Sequence, residues 1–160
     1  MLSIKVKEVL SNINYNDGIY YCIPFDIFLD EHEDFFDFCS EIGAKKNKYL
    51  SVFKQILEID QQARILVIIY DAEGNDFIYS NDIYIISDVE QKSIESVFDE
   101  HYKSTGEYIS PSEIDELDRT ELNMFSSTNS IISIVDDNTI IEPMQISAIG
   151  SKHIFLLSWD

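Results

Sequence analysis

Four carboxylates, Asp30, Asp34, Asp37 and Glu41, follow one another at i, i+4, i+7 and i+11, a spacing that stacks them along one line of a helix. No basic residue falls between Asp17 and Glu41, a stretch holding eight acids. Like charges one turn apart each cost ~0.2–0.5 kcal/mol, and a cationic partner laid along the line would remove that cost. The chemistry implied is recognition of positive charge, not bond-making. A second row, Asp88, Glu95 and Asp99, is broken by Lys92, and the wider stretch from Asp71 to Glu121 carries fifteen acids against three bases.

Constellations that could carry a reaction are fragmentary. Asp71, Glu73, Asn75 and Asp82 occupy positions 1, 3, 5 and 12 of a calcium-loop frame, but Gly74 stands at position 4 where the loop needs glycine at position 6, and Asp82 replaces the bidentate Glu. An ordinary hairpin turn accounts for that stretch. Asp76 with Glu90-Gln91-Lys92 has the acid-then-Glu-x-Lys composition used by metal-dependent nucleases, yet Glu90 and Lys92 fall at a helix start, where residues two apart face differently. His32 and Cys39, seven apart, would lie ~10 Å apart on a helix, too far for a thiol–imidazole pair, so Cys39 reads as core. His101 and His153 are isolated. Gly150-Ser151-Lys152 lacks the upstream glycine of a phosphate loop. The residues therefore indicate no enzyme, no catalytic group, no metal and no cofactor.

Composition bounds the rest. At 160 residues the chain makes one domain, 1–160, with a proper core. Hydrophobic residues at 45% and aromatics at 12% exclude a disordered chain despite a formal net charge of -19. Such a field repels nucleic acid and anionic membranes and attracts basic proteins. Met1 to Leu10 alternates Leu2, Ile4 and Val6 against Ser3, Lys5 and Lys7, which predicts a strand and lacks the apolar stretch of a signal peptide. With no apolar run of roughly 18 residues, a cytoplasmic protein is expected, with Cys22 and Cys39 as free, buried thiols.

The elements that must position the acids follow from periodicity. Phe35, Phe38, Cys39 and Ile42 recur at i, i+3, i+4 and i+7, predicting a helix over Asp30 to Gly43 with Asp30 and Glu33 as a capping box and Gly43 closing it. Asn16-Asp17-Gly18 between Ile13–Tyr15 and Ile19–Ile23 reads as a hairpin turn. A helix over Asn47 to Ile59 buries Leu50, Phe53, Ile56 and Leu57, although Lys45, Lys46 and Lys48 crowd its positive end and Glu58 and Asp60 its negative one. Packing must hold that helix, or its lysines pair with the acidic segment before it. Arg64 to Tyr70 is nearly continuously apolar and β-branched, marking a central strand covered on both faces. Phe77–Ser80 and Ile83–Ile86 follow as strands with a bend at Asn81-Asp82. Ser87 with Glu90 predicts a capped helix burying Ile94, Val97, Phe98 and His101. Ser110-Pro111-Ser112-Glu113 predicts a short helix carrying Ile114 and Leu117. A polar connector, Ser126–Asn129, leads to strands at Ser130–Val135, Thr139–Glu142, Met144–Ile149 and His153–Ser158. The sum is a single α+β domain: a largely antiparallel sheet with three to four helices packed against it.

In general character, small, acidic and α+β, the chain resembles bacterial immunity proteins that protect a producer from its own nuclease toxins. The resemblance implies a non-enzymatic inhibitor covering the active-site cleft of a basic toxin domain but carries over no residues; the two acidic rows themselves, Asp30, Asp34, Asp37 and Glu41, then Asp88, Glu95 and Asp99, are the expected contact surface. A DNA-mimic antirestriction or anti-CRISPR inhibitor is the rival reading. Duplex DNA carries one charge per ~1.7 Å, whereas four carboxylates over ~16 Å of helix are too dilute to copy it alone. A small acidic enzyme of unknown reaction is the third.

Overall fold

The computed structural model describes residues 2–12, 20–39, 45–69, 78–118, 131–145 and 149–160. Within them lie α1 (Ile4–Ser11), β1 (Tyr20–Pro24), α2 (Phe25–Phe28), β2 (Phe36–Phe38), α3 (Lys46–Ile59), β3 (Arg64–Ile69), β4 (Ile78–Ser80), β5 (Asp82–Ser87), α4 (Gln91–Thr105), β6 (Glu113–Glu116), β7 (Ile131–Ile134), β8 (Glu142–Gln145) and β9 (His153–Ser158). Seven strands form one sheet in the order β6-β9-β5-β3-β1-β7-β8, and β2 and β4 form a two-stranded pair. Every neighbour in the large sheet is antiparallel except β1 with β7. The predicted α+β domain with a largely antiparallel sheet is the observed one.

Strand β3 sits mid-sheet, and its residues after Arg64 are all buried, because alternate side chains enter two different cores. Ile65, Val67 and Ile69 join Ile83, Ile85, Phe155 and Leu157 on the face covered by the helices, while Leu66 and Ile68 join Cys22, Tyr84, Ile86, Ile132 and Ile134 on the opposite face. On the helical face Trp159 gathers four aromatic rings from three elements, lying 5.3 Å from Phe38, 5.9 Å from Tyr49, 6.3 Å from Phe53 and 6.1 Å from Phe98 between centroids. Its indole N–H donates to the Ile109 carbonyl at 2.8 Å. Cys22 and Cys39 are both free and buried, as expected.

Helix α3 spans nearly the predicted range and buries Phe53 and Ile56. In α4 the four expected residues, Ile94, Val97, Phe98 and His101, are all inward. The bend at Asn81 is a change of sheet: the chain leaves the β2–β4 pair and enters the large sheet, with the Asn81 carbonyl and side-chain amide bonded to the Trp159 backbone at 2.9 and 2.7 Å.

Several local expectations are corrected. Of the segment predicted as a helix from Asp30 to Gly43, residues 40–43 lie outside the described residues and Asp30 to Cys39 is instead a run of turns followed by β2, which pairs parallel with β4 and buries Phe36 and Phe38 on either side of Asp37. The N-terminal strand is helix α1. The Ser3 hydroxyl caps it at Val6 N–H (3.3 Å), and Leu2, Val6 and Leu10, four apart, face the core. The capping box at Ser87 does not form; its hydroxyl donates to Asp60 at 2.7 Å, and α4 begins after Glu90. The Ser110-Pro111 start signal leads into strand β6, because the Ser112 N–H and hydroxyl both bond the Ser158 carbonyl at 2.9 Å and the chain continues as a ladder on β9. Thr139–Glu142 is not a separate strand; β8 takes its place around Pro143, a residue suited to a sheet edge. The Asp17-Gly18 turn, the calcium-like frame from Asp71 to Asn75, Asp76, the Ser126–Asn129 connector and Glu41 lie outside the described residues.

Candidate partner-binding surface

The two acidic rows have different surroundings. In the first, Asp30 turns back on its own segment, its carboxylate accepting the His32 N–H at 2.9 Å. Asp34 is exposed and Asp37 half-buried. No helical line joins them, so the predicted stripe does not exist as drawn. The α3 residue Lys46 reaches into this segment instead, donating to the Glu33 carbonyl at 2.6 Å and the Phe36 carbonyl at 2.8 Å. Burial pulls the Lys46 ammonium below its ordinary pKa, and the carboxylates of Asp30, Asp34, Asp37 and Glu33 pull the other way. The lysine crowding at the positive end of α3 is thereby explained: its helix-dipole cost of ~0.3–1 kcal/mol is offset by charged hydrogen bonds worth ~1.5–3 kcal/mol before solvent screening.

Glu33, only 3% exposed, completes this self-neutralised region with an ion pair to Lys7 at 3.0 Å. Its carboxylate also accepts the Leu2 N–H at 3.1 Å and the Phe35 N–H at 3.2 Å. Burial opposes ionisation, but Lys7 and the two backbone donors together outweigh it and hold the carboxyl below the usual range. A hollow of about 110 Å³ nearby is lined by Asp26, Asp30, Glu33 and Asp137. Among the described residues, no group of three or more His, Cys, Asp or Glu side chains is arranged to hold a metal ion.

The second row lies on and just before α4. Asp88, before the helix, is committed internally: its carboxylate accepts the Lys152 N–H at 2.7 Å and its own N–H goes to Asp60 at 3.1 Å. Glu95 and Asp99, one turn apart, are exposed, and both line a groove of about 250 Å³ between α4 and the segment entering β6. Glu113 stands in the facing wall, with Phe98, Tyr108, Pro111 and Ile114 supplying apolar surface. Neither Lys nor Arg is among the described residues that line it. Tyr108 is 69% exposed and stacks edge-on with Tyr102 at 6.1 Å. Asp115 and Asp160, beside the groove, add to the crowding of acids at Glu113: the Asp115 charge, their shared hydrogen bond, slight burial and Asp160 push its carboxyl above the ordinary value. Where Lys7 and backbone donors draw Glu33 down, neighbouring acids drive Glu113 up.

The sequence did not mark Glu116 or Tyr108 as site residues, and it marked Glu113 only as part of a helix start. The misread helix start at Ser110 concealed them, although Glu113-Ile114-Asp115-Glu116, charged at three of four positions, has the composition of a protected edge strand. His153, isolated in the sequence, is joined to this wall: Nδ1 contacts the Glu116 carboxylate and Nε2 lies 3.5 Å from Glu90.

Compared with known proteins, the chain matches no family model, no curated protein and no solved structure. Among the described residues no helix is long and apolar enough to cross a membrane.

Proposed function

We propose that this chain is a non-enzymatic binding protein that neutralises a basic protein partner, in the manner of an immunity protein covering the cationic active-site cleft of a toxin nuclease. The supporting observation is the α4–β6 groove, lined by the carboxylate residues Glu95, Asp99 and Glu113 and, among the described residues, by no lysine or arginine. A cationic loop entering it would relieve their repulsion, and the exposed Tyr108 and Tyr102 would supply the aromatic anchoring that sets residence time. Surplus negative charge steers the encounter. The contact surface is thus weighted toward Glu95 and Asp99; Asp30, Asp34 and Asp37 act as a flank already partly neutralised by Lys46.

The test is capture of the partner from the producing cell, followed by a nuclease-inhibition assay and association kinetics at several salt concentrations. Glu95→Lys with Asp99→Lys should slow association by ~10-fold or more at low salt and flatten its salt dependence. Asp34→Lys with Asp37→Lys should slow it less. Unchanged on-rates in the first variant would refute the groove assignment, and a captured partner without a basic surface would refute the function.

A further inference from the structure

We infer that His153 is a proton-operated fastener of the groove: as an imidazolium it ties both walls, β6 through Glu116 and the head of α4 through Glu90, to β9, and on losing its proton it lets them go. The functional meaning rests on the groove reading above, but the fastening itself does not. His153 stands opposite Ser87 in the sheet register, its ring stacked on Phe155 at 5.3 Å between centroids and 26° between planes. Its side chain is 17% exposed, while those of Glu116 and Glu90 are 50% and 74% exposed. Two ionised carboxylates accept hydrogen bonds and donate none. A neutral imidazole has a single N–H, so with one carboxylate served it turns a lone pair toward the other. The doubly protonated ring alone suits both, donating from Nδ1 to Glu116 and holding Glu90 as an ion pair at 3.5 Å, a distance at which Nε2 makes no hydrogen bond.

The charged groups packed around the ring are accounted for. Glu116 approaches from β6 and Glu90 from the start of α4. Asp88, between β5 and α4, is held by the Lys152 N–H, and Asp60, at the end of α3, by the Ser87 hydroxyl. The Glu116 hydrogen bond raises the His153 pKa above the ordinary imidazole value, burial works against it, and the charges of Glu116 and Glu90 add to the rise. The fastening is therefore complete below the unfolded-state pKa of about 6.5 and is lost as pH rises through the higher folded-state value. Loss of the proton also leaves two carboxylates uncompensated beside the groove, so the site becomes more negative as its wall loosens.

The experiment uses the partner-free protein: imidazole titration by NMR, with amide hydrogen exchange across β6 corrected for intrinsic base catalysis. His153 should titrate above the ordinary value, and Glu116→Gln should bring its midpoint down. Protection of the Ser112 and Leu117 amides, which bond the Ser158 and Ile154 carbonyls at 2.9 and 2.8 Å, should fall several-fold through the His153 midpoint and should be independent of pH over that range in His153→Gln. A midpoint at or below the ordinary value, or wild-type protection that follows His153→Gln at every pH, overturns the fastener and leaves the groove reading standing. Should His153→Gln fail to fold, the shifted midpoint in the exposed-site variant Glu116→Gln still decides the matter. Failure to capture a basic partner would remove the groove's function without touching the titration.

Discussion

The segment from Asp30 to Asp37 and the groove wall formed by α4 and β6 are similarly acidic in sequence and unlike in the folded molecule. The first is drawn in around Lys46 and Lys7, which reach it from α3 and α1. The second has no lining cation among the described residues, and at its β6 edge Asp115 and Asp160 hold the Glu113 carboxyl above the ordinary value. Charge density along a chain therefore says little about where a partner docks. What matters is whether tertiary structure delivers a lysine to the same place, and for the first region it does.

Trp159 ties the two regions together, because its indole packs on Phe38 from the first and Phe98 from the second. Trp159→Ala should cost about 3–5 kcal/mol, the usual range for emptying a buried aromatic site, and should loosen both regions at once. Denaturant unfolding measures the loss, and a cost below about 1 kcal/mol would show that the two regions are held independently. Trp159→Phe should cost less, mainly through the unpaired Ile109 carbonyl.

The parts of this architecture that could be read in advance are those where a single period dominates. Ile65 to Ile69 is apolar at every position and could only be a doubly covered strand; in α4 the four inward residues follow the helical spacing. The acidic segment failed because Phe35, Phe36, Phe38 and Cys39 satisfy a helical spacing and a strand alternation together. Pairing with β4 decided between them, and each β4 partner, from Ile78 opposite Phe36 to Ser80 opposite Phe38, lies 42 residues further on. At the N-terminus Leu2, Ile4 and Val6 alternate as a strand would, yet Leu2, Val6 and Leu10 repeat every four, and Ile4 is left 77% exposed. Ser110-Pro111-Ser112-Glu113 carries a valid local helix-start signal that lost to the β9 ladder. For the candidate site, Glu95 and Asp99 could be found from the helical row, whereas Glu113, Tyr108 and His153 needed the register of β6 on β9.

Removing Lys46 sharpens the contrast. Lys46→Met should destabilise the fold by about 1–2 kcal/mol, since two carbonyls lose a charged donor while partial exposure lets water replace some of it. The same change should leave Asp30, Asp34 and Asp37 unrelieved, so association with a basic partner should speed up and Asp34→Lys with Asp37→Lys should then have the larger effect it lacks in the wild type. A Lys46→Met protein as stable as wild type, with an unaltered on-rate, would mean that this lysine neutralises nothing.

Glu33 offers the smallest and most specific test. Its folded-state pKa is lowered, so its ionised form contributes stability that is present above the unfolded value of about 4.3 and disappears as pH falls through the folded value. Glu33→Gln keeps an acceptor oxygen but removes the charge that Lys7 pairs with. It should cost about 1 kcal/mol near neutral pH, roughly 2–4 °C in Tm for a chain of this size. The gap to wild type should narrow on acidification as wild-type Glu33 takes up its proton. No comparable narrowing should follow Glu113→Gln. Its carboxyl pKa is raised by Asp115 and Asp160, so ionisation there opposes folding, and wild type should gain relative to that variant as the acid is protonated. Two Glu→Gln substitutions with opposite acid limbs would separate a carboxylate the fold has neutralised from one it has left for a partner. Parallel limbs would erase the distinction between the two regions.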